Sequence, residues 1–98
     1  MSLYLLTTEF PDGLLESGDL VDKAGTARSA YRGAAPSFVI VASYKVSNDT
    51  TIDIVEADSD AEADAAAKAI ADATGTRTDV AGITRYNSHL AALESGQA

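Results

Sequence analysis

Asp53 stands between Ile52 and Ile54 in the run TTIDIVEA, an unusual place for a carboxylate because charged side chains mostly face water. A preceding apolar run, FVIVASYKV at residues 38–46, is joined to it through Ser47-Asn48-Asp49-Thr50. With an even-length hairpin loop, Tyr44 falls opposite Asp53 on one face, and Ser43, Lys45 and Glu56 fall on the other. A buried carboxyl is desolvated, which raises its pKa, and the Tyr44 phenol can hydrogen-bond to it. That is a workable acid-base pair. The plainer alternative leaves both residues at the wet end of a hairpin.

A second cluster is RYNSH at residues 85–89, which holds the only histidine of the chain. Near a helix start the dipole disfavours the imidazolium, so His89 is a candidate neutral base near pH 7. Against this stands its position beside an exposed tail, where a lone histidine is ordinarily a solvated surface residue. Asp53 and His89 are thus the candidate catalytic residues, and Tyr44, Arg85 and Tyr86 the candidate ligand contacts. Glu9 and Glu56 lie late in their strands and converge if those strands are neighbours, where they could share a proton or hold a hard cation. No phosphate-cradling glycine loop, G-x-S-x-G elbow, H-E-x-x-H or calcium-loop pattern occurs.

The elements that must position these residues are readable from periodicity. LYLLTTEF at residues 3–10 suits a first strand, closed by the Pro11-Asp12-Gly13 turn signal. Leu20, Ala24, Ala27 and Tyr31 recur at helical spacing, and Gly33 with Pro36 marks a stop, so residues 19–32 are expected to be helical. The two runs around the hairpin give strands two and three. Ser59 and Glu62 form an S-x-x-E capping box for a second helix. Its inward face is Ala63, Ala66, Ala67, Ile70 and Ala73, and Gly75 ends it. Residues 78–86 read as strand four, and Asn87 or Ser88 would cap a short tail helix carrying Leu90 and Leu93. Residues 94–98 are expected to fray. The order β-α-β-β-α-β makes a single α+β, ferredoxin-like domain over residues 1–93, with a four-stranded antiparallel sheet and its helices on one face.

Strand two raises a difficulty for that arrangement. Regular alternation puts Phe38, Ile40, Ala42 and Tyr44 on one face and Val39 and Val41 on the other, so both faces are apolar. If helices cover one face, a second copy of the chain is the expected cover for the other, the alternative being a bend or a longer tail helix that hides those residues within one chain.

Composition narrows the partners. The 98 residues include 15 acidic and 7 basic side chains, a net charge of -8. Such a surface repels phosphate backbones and anionic membranes, so nucleic acid and membrane are excluded as expected partners. With no cysteine, thiolate chemistry and sulfur-ligated metals are excluded as well. The opening residues MSLYLLTTEF carry no basic leader and their apolar run breaks at Thr7, which points to a cytoplasmic protein.

TIDIVEADSDAEADAAAKAI, a strand ending in Glu-Ala followed by an acidic cap and an alanine-rich helix, and then TRTDVAGITRY, resemble the dimeric α+β barrel superfamily. Within it they are nearest to the small GYD-domain proteins of unknown function. The front half, LYLLTTEFPDGL and PSFVIVASY, is similar to another small barrel family that includes a nickel-binding protein. A nickel site needs several imidazole or comparable ligands and the chain has one histidine, so the metal does not carry over easily. The resemblance implies a dimer or larger ring, ligands held between each sheet and its helices, and chemistry without a bound cofactor where there is chemistry at all.

The expectation is therefore a homo-oligomeric protein binding a small, largely apolar molecule in a cleft between sheet and helices. The alternatives are a cofactor-independent monooxygenase, isomerase or cyclase acting on an aromatic or polyketide-like substrate, a non-catalytic assembly or regulatory module, and a nickel-binding protein. A cleft of roughly 300 Å³ or more with converging polar groups favours ligand binding, and a packed interior favours assembly.

Overall fold

A computed structural model describes residues 1–96. The chain runs β1 (Ser2–Glu9), α1 (Asp19–Ala34), β2 (Val39–Lys45), β3 (Thr50–Ala57), α2 (Asp60–Thr74), β4 (Arg77–Ile83) and α3 (Tyr86–Glu94). The four strands form one antiparallel sheet in the order β2-β3-β1-β4. This is the α+β, ferredoxin-like architecture. Gln97 and Ala98 of the tail expected to fray lie outside the described residues, and Glu94 closes α3.

The sheet alternates cleanly in its centre. Tyr4, Leu6 and Thr8 of β1 are buried on one face beside Val55 and Ala57 of β3. On that face α2 lays its alanine side: Ala63, Ala66 and Ala67 are buried, and Ile70 packs at their edge. Side chains this short bring α2 close to β1, β3 and β4. The Tyr4 hydroxyl adds a polar tie, donating to Asp60 Oδ1 at 2.6 Å in the first turn of α2. That bond with a carboxylate raises the tyrosine pKa.

The ends of α2 follow their signals, with one departure. Ser59 Oγ accepts from the Glu62 N–H at 3.2 Å, and Gly75 closes the helix in the left-handed region at φ 66°. The return arm of the capping box is not made: Glu62 Oε2 is buried with no hydrogen-bond partner among the described residues. Helix α1 runs through Gly33 to Ala34 and is closed by the Ala35 N–H donating to the Tyr31 carbonyl. It approaches α2 closely but not the sheet. Its Tyr31 ring meets Phe38 edge-on, with centroids 5.0 Å apart.

Strand two breaks the expected alternation. Ile40 pairs with Val55, yet Ala42 pairs with Ile54, so Val41 is an extra residue in a bulge. Ile40 stays on the helix face, whereas Ala42 and Tyr44 turn to the other. That open face carries Leu3, Leu5, Ile52, Ile54, Val41, Tyr44 and Ile83, set by the strand registers. Among the described residues no helix covers it: the smallest dimension of the molecule, 16 Å, accommodates one sheet and one helix layer. The face expected to need a second cover is therefore uncovered in the single chain.

Candidate functional site

Between α1 and the sheet, where the helix stands off, lies a cleft of about 260 Å³. Its floor is Thr8 of β1, Ile40 of β2, and Thr51 and Asp53 of β3. One wall is the face of α1 formed by Leu20, Ala24, Ala27, Arg28 and Tyr31, and the opposite wall is Ile70 and Thr74 of α2. Phe10 and Leu15, from the connection after β1, close one end. The lining is mainly apolar with a few polar groups, which is the composition of small-ligand sites. The volume falls just under the expected threshold; a dry cavity of about 150 Å³ already admits benzene. The space therefore matches a single substituted ring or a molecule of similar bulk.

Asp53 is the carboxyl of this cleft. Its expected pairing with Tyr44 is overturned by the register. Lys45 pairs with Thr51, and the Val46 N–H donates to the Thr50 carbonyl, leaving Ser47, Asn48 and Asp49 in the turn. This odd-length loop moves every cross-strand partner by one, so Ser43 faces Asp53 and Tyr44 faces Ile52. The turn is held by its own side chains. Asp49 Oδ1 accepts from the hydroxyls of Ser47 and Thr50, bonds that pull its pKa below the ordinary carboxylate value.

Ser43 Oγ donates to Asp53 Oδ1. Burial raises the Asp53 pKa, and the serine bond, which favours the charged form, opposes that rise. The result is a partly desolvated carboxyl with one hydroxyl donor, aimed into an apolar space. It can accept a hydrogen bond from a ligand, pair with a cation, or hold a proton. Arg28, on the facing helix wall, offers the complementary charge.

The other predicted residues lie elsewhere. Tyr44 is exposed on the open face, across the sheet from the cleft. Arg85 lines a second hollow, of about 310 Å³, on that same open face with Leu3, Val41, Ala42, Ile54 and Ile83. Tyr86 and His89 sit in exposed positions on α3, whose first residue is Tyr86, so β4 ends at Ile83 and not at Tyr86 as expected. The cap of α3 is Arg85, without a side-chain bond, in place of Asn87 or Ser88. Glu9 and Glu56 do not converge. Their strands are neighbours but antiparallel, and Glu9 pairs with Thr50 while Glu56 pairs with Leu3 at the other end.

Arg28 was missed as a site residue although its spacing was legible, since it shares a helical face with Leu20, Ala24, Ala27 and Tyr31. Among the described residues, no three histidine or acidic side chains gather as a metal site, and no helix is long and apolar enough to cross a membrane.

No protein-family model matches the chain, and no curated protein matches it. Among solved structures, the chain is similar to a REP-associated tyrosine transposase bound to a REP hairpin. The identity is 14%, the TM-score is 0.50, and the match covers 99% of this chain and 70% of the other. At that identity the likeness is one of fold.

Proposed function

We propose that this chain is a cytoplasmic homo-oligomeric barrel protein that binds a small, largely apolar molecule between its sheet and its helices. The observation that carries this reading is the cleft itself, with apolar walls and one partly desolvated carboxyl, Asp53, on its floor. Apolar burial supplies the affinity, and Asp53 with its Ser43 partner selects a hydrogen-bond donor or cation on the ligand. The uncovered apolar sheet face supports the oligomeric part, because a contiguous patch of this kind is the signature of an interaction surface. This is the assembly of the dimeric α+β barrel proteins, nearest to the GYD-like ones, that the sequence resembles. A net charge of -8 makes the hairpin-DNA partner of the structural neighbour a poor fit.

The enzymatic version of the same site rests on the raised pKa of Asp53. A carboxyl that holds its proton more firmly is better matched to proton transfer near neutral pH. It would move that proton on a bound aromatic or polyketide-like substrate, with no cofactor.

Native mass spectrometry of the untagged protein as purified tests the proposal in one spectrum. The expected result is an oligomer retaining a discrete small-molecule mass, and loss of that mass in Ala27→Leu, which fills the cleft. A bare monomer, or an added mass indifferent to the substitution, overturns it.

A further inference from the structure

Helix α3 belongs to no layer of the fold. It comes close to no other element, and none of its residues is buried among those described. Yet it is not a polar tail. Tyr86, Leu90 and Leu93 recur at i, i+4 and i+7, one stripe of the helix, with exposures of 72, 37 and 50%. A helix of this length is not stable in water from its own propensity and needs an apolar surface to lie on. The same chain carries such a surface unoccupied: the open-face hollow of about 310 Å³ floored by Leu3, Val41, Ala42, Ile54 and Ile83.

The short hinge decides which copy supplies that surface. Only Thr84 and Arg85 separate β4 from α3, and Arg85 is extended, at φ -61° and ψ 128°. The chain therefore leaves β4 outward, and the long axis of the molecule reaches 50 Å. In this conformation α3 lies on no element of its own chain, and laying it back on its own sheet requires the hinge to leave it. Short hinges of this kind favour exchange of the element between two copies. Thr84 and Arg85 also form the lip of the hollow. A two-fold axis beside that lip brings each hinge next to the other copy's hollow, and both arms are seated at once.

We infer that the open face is covered by a second copy through reciprocal exchange, the stripe Tyr86, Leu90 and Leu93 of each chain seated in its partner's open-face hollow. The inference rests on the second-copy reading of that face and adds the element that makes it specific. The area agrees. Four strands about 4.8 Å apart and about 23 Å long present about 400 Å² in projection per copy. Side-chain relief and the α3 stripe add to this, toward the about 800 Å² per partner of a stable pair. Charge on the face is confined to Glu9, Arg77 and Asp79 at one end, where Arg77 is held by Asp79 at 3.6 Å, and to Glu56 and Arg85 beside the hollow, whereas the acidic first turns of α1 and α2 belong to the helix layer on the other side.

The absence of cysteine in the natural chain makes a direct test simple. The full-length double variant Val41→Cys and Leu90→Cys is oxidised at micromolar concentration and run without reductant, with each single variant as control. Both positions are exposed in the single chain, so folding is retained and is checked by circular dichroism. The expected product is a covalent dimer absent from both controls. Inserting four Gly/Ser residues between Thr84 and Arg85 converts it to an intrachain disulfide migrating as a monomer. An intrachain product without the insertion overturns the exchange, since α3 then lies on its own sheet. A dimeric parent that gives neither product also overturns it, while leaving pairing through the sheet intact. A monomeric parent in native mass spectrometry removes the second-copy reading itself.

Discussion

Ala27→Leu separates a real cleft from a packed interior by the sign of one number. Ala27 is buried on the α1 wall, and its side chain faces the space of about 260 Å³. Adding an isopropyl group there removes about 2.4 kcal/mol worth of apolar carbon from water, at about 0.8 kcal/mol per methylene. The helix loses about 0.2 kcal/mol of intrinsic propensity. The cleft is lined on several sides but not sealed, which leaves roughly half of the transfer gain, or about 1 kcal/mol of net stabilisation. In a domain of this length, that corresponds to a melting temperature higher by about 4–8 °C. Were the region packed, the same group would force neighbours off their rotamers and cost about 1–3 kcal/mol. Urea unfolding of both proteins, followed by far-UV circular dichroism at constant m-value, reads the difference. A loss of 1 kcal/mol or more would refute the reasoning and take the ligand site with it.

Other expectations bear on the carboxyl, the cap and the core. Burial gives Asp53 a folded-state pKa above its unfolded one, so its contribution to stability is fully present below the unfolded value and is lost as pH rises through the folded value. Asp53→Asn should therefore be more stable than the parent at pH 7, with the gain fading as the pH is lowered through the carboxylate range; a gain of equal size at pH 3 would contradict the burial argument. Ser59→Ala removes the hydroxyl that receives the Glu62 N–H and should cost about 1 kcal/mol in urea unfolding. Leu6→Ala, at a side chain with no exposed surface in the centre of the sheet, should cost about 2–5 kcal/mol in the same urea unfolding.

What could be read from the sequence and what could not divides along physical lines. Helix α2 was legible at both ends because a capping serine and a left-handed glycine act locally, within one turn of chain. The face of α1 was legible for the same reason. The hairpin was not. Ser47-Asn48-Asp49-Thr50 suits loops of either parity, and the side-chain bonds of Asp49 that select the odd one appear only when the turn is folded. One residue of parity exchanged Tyr44 for Ser43 as the partner of Asp53, and with it one side of the sheet for the other. The bulge at Val41 was equally hidden, because FVIVASYKV supplies apolar residues to both faces and no alternation registers the extra one. The separation of Glu9 from Glu56 was different in kind: antiparallel pairing of β1 with β3 places strand ends of like direction apart, and the strand order alone sufficed to see it.

The central place of β1 has a kinetic consequence. Its neighbours are β3 and β4, and the pair Leu3 with Ile83 joins nearly opposite ends of the described chain. Among the described residues, the one strand pairing closed by a short loop is β2 with β3. That hairpin can form in microseconds, whereas the two ladders of β1 must wait for long loops to close. During synthesis, β4 is made long after β1, so one edge of β1 stays without its ladder until nearly the whole chain is present. Folding is thus expected to be limited by the last ladder, with β1 the strand most exposed to wrong pairing until β4 arrives.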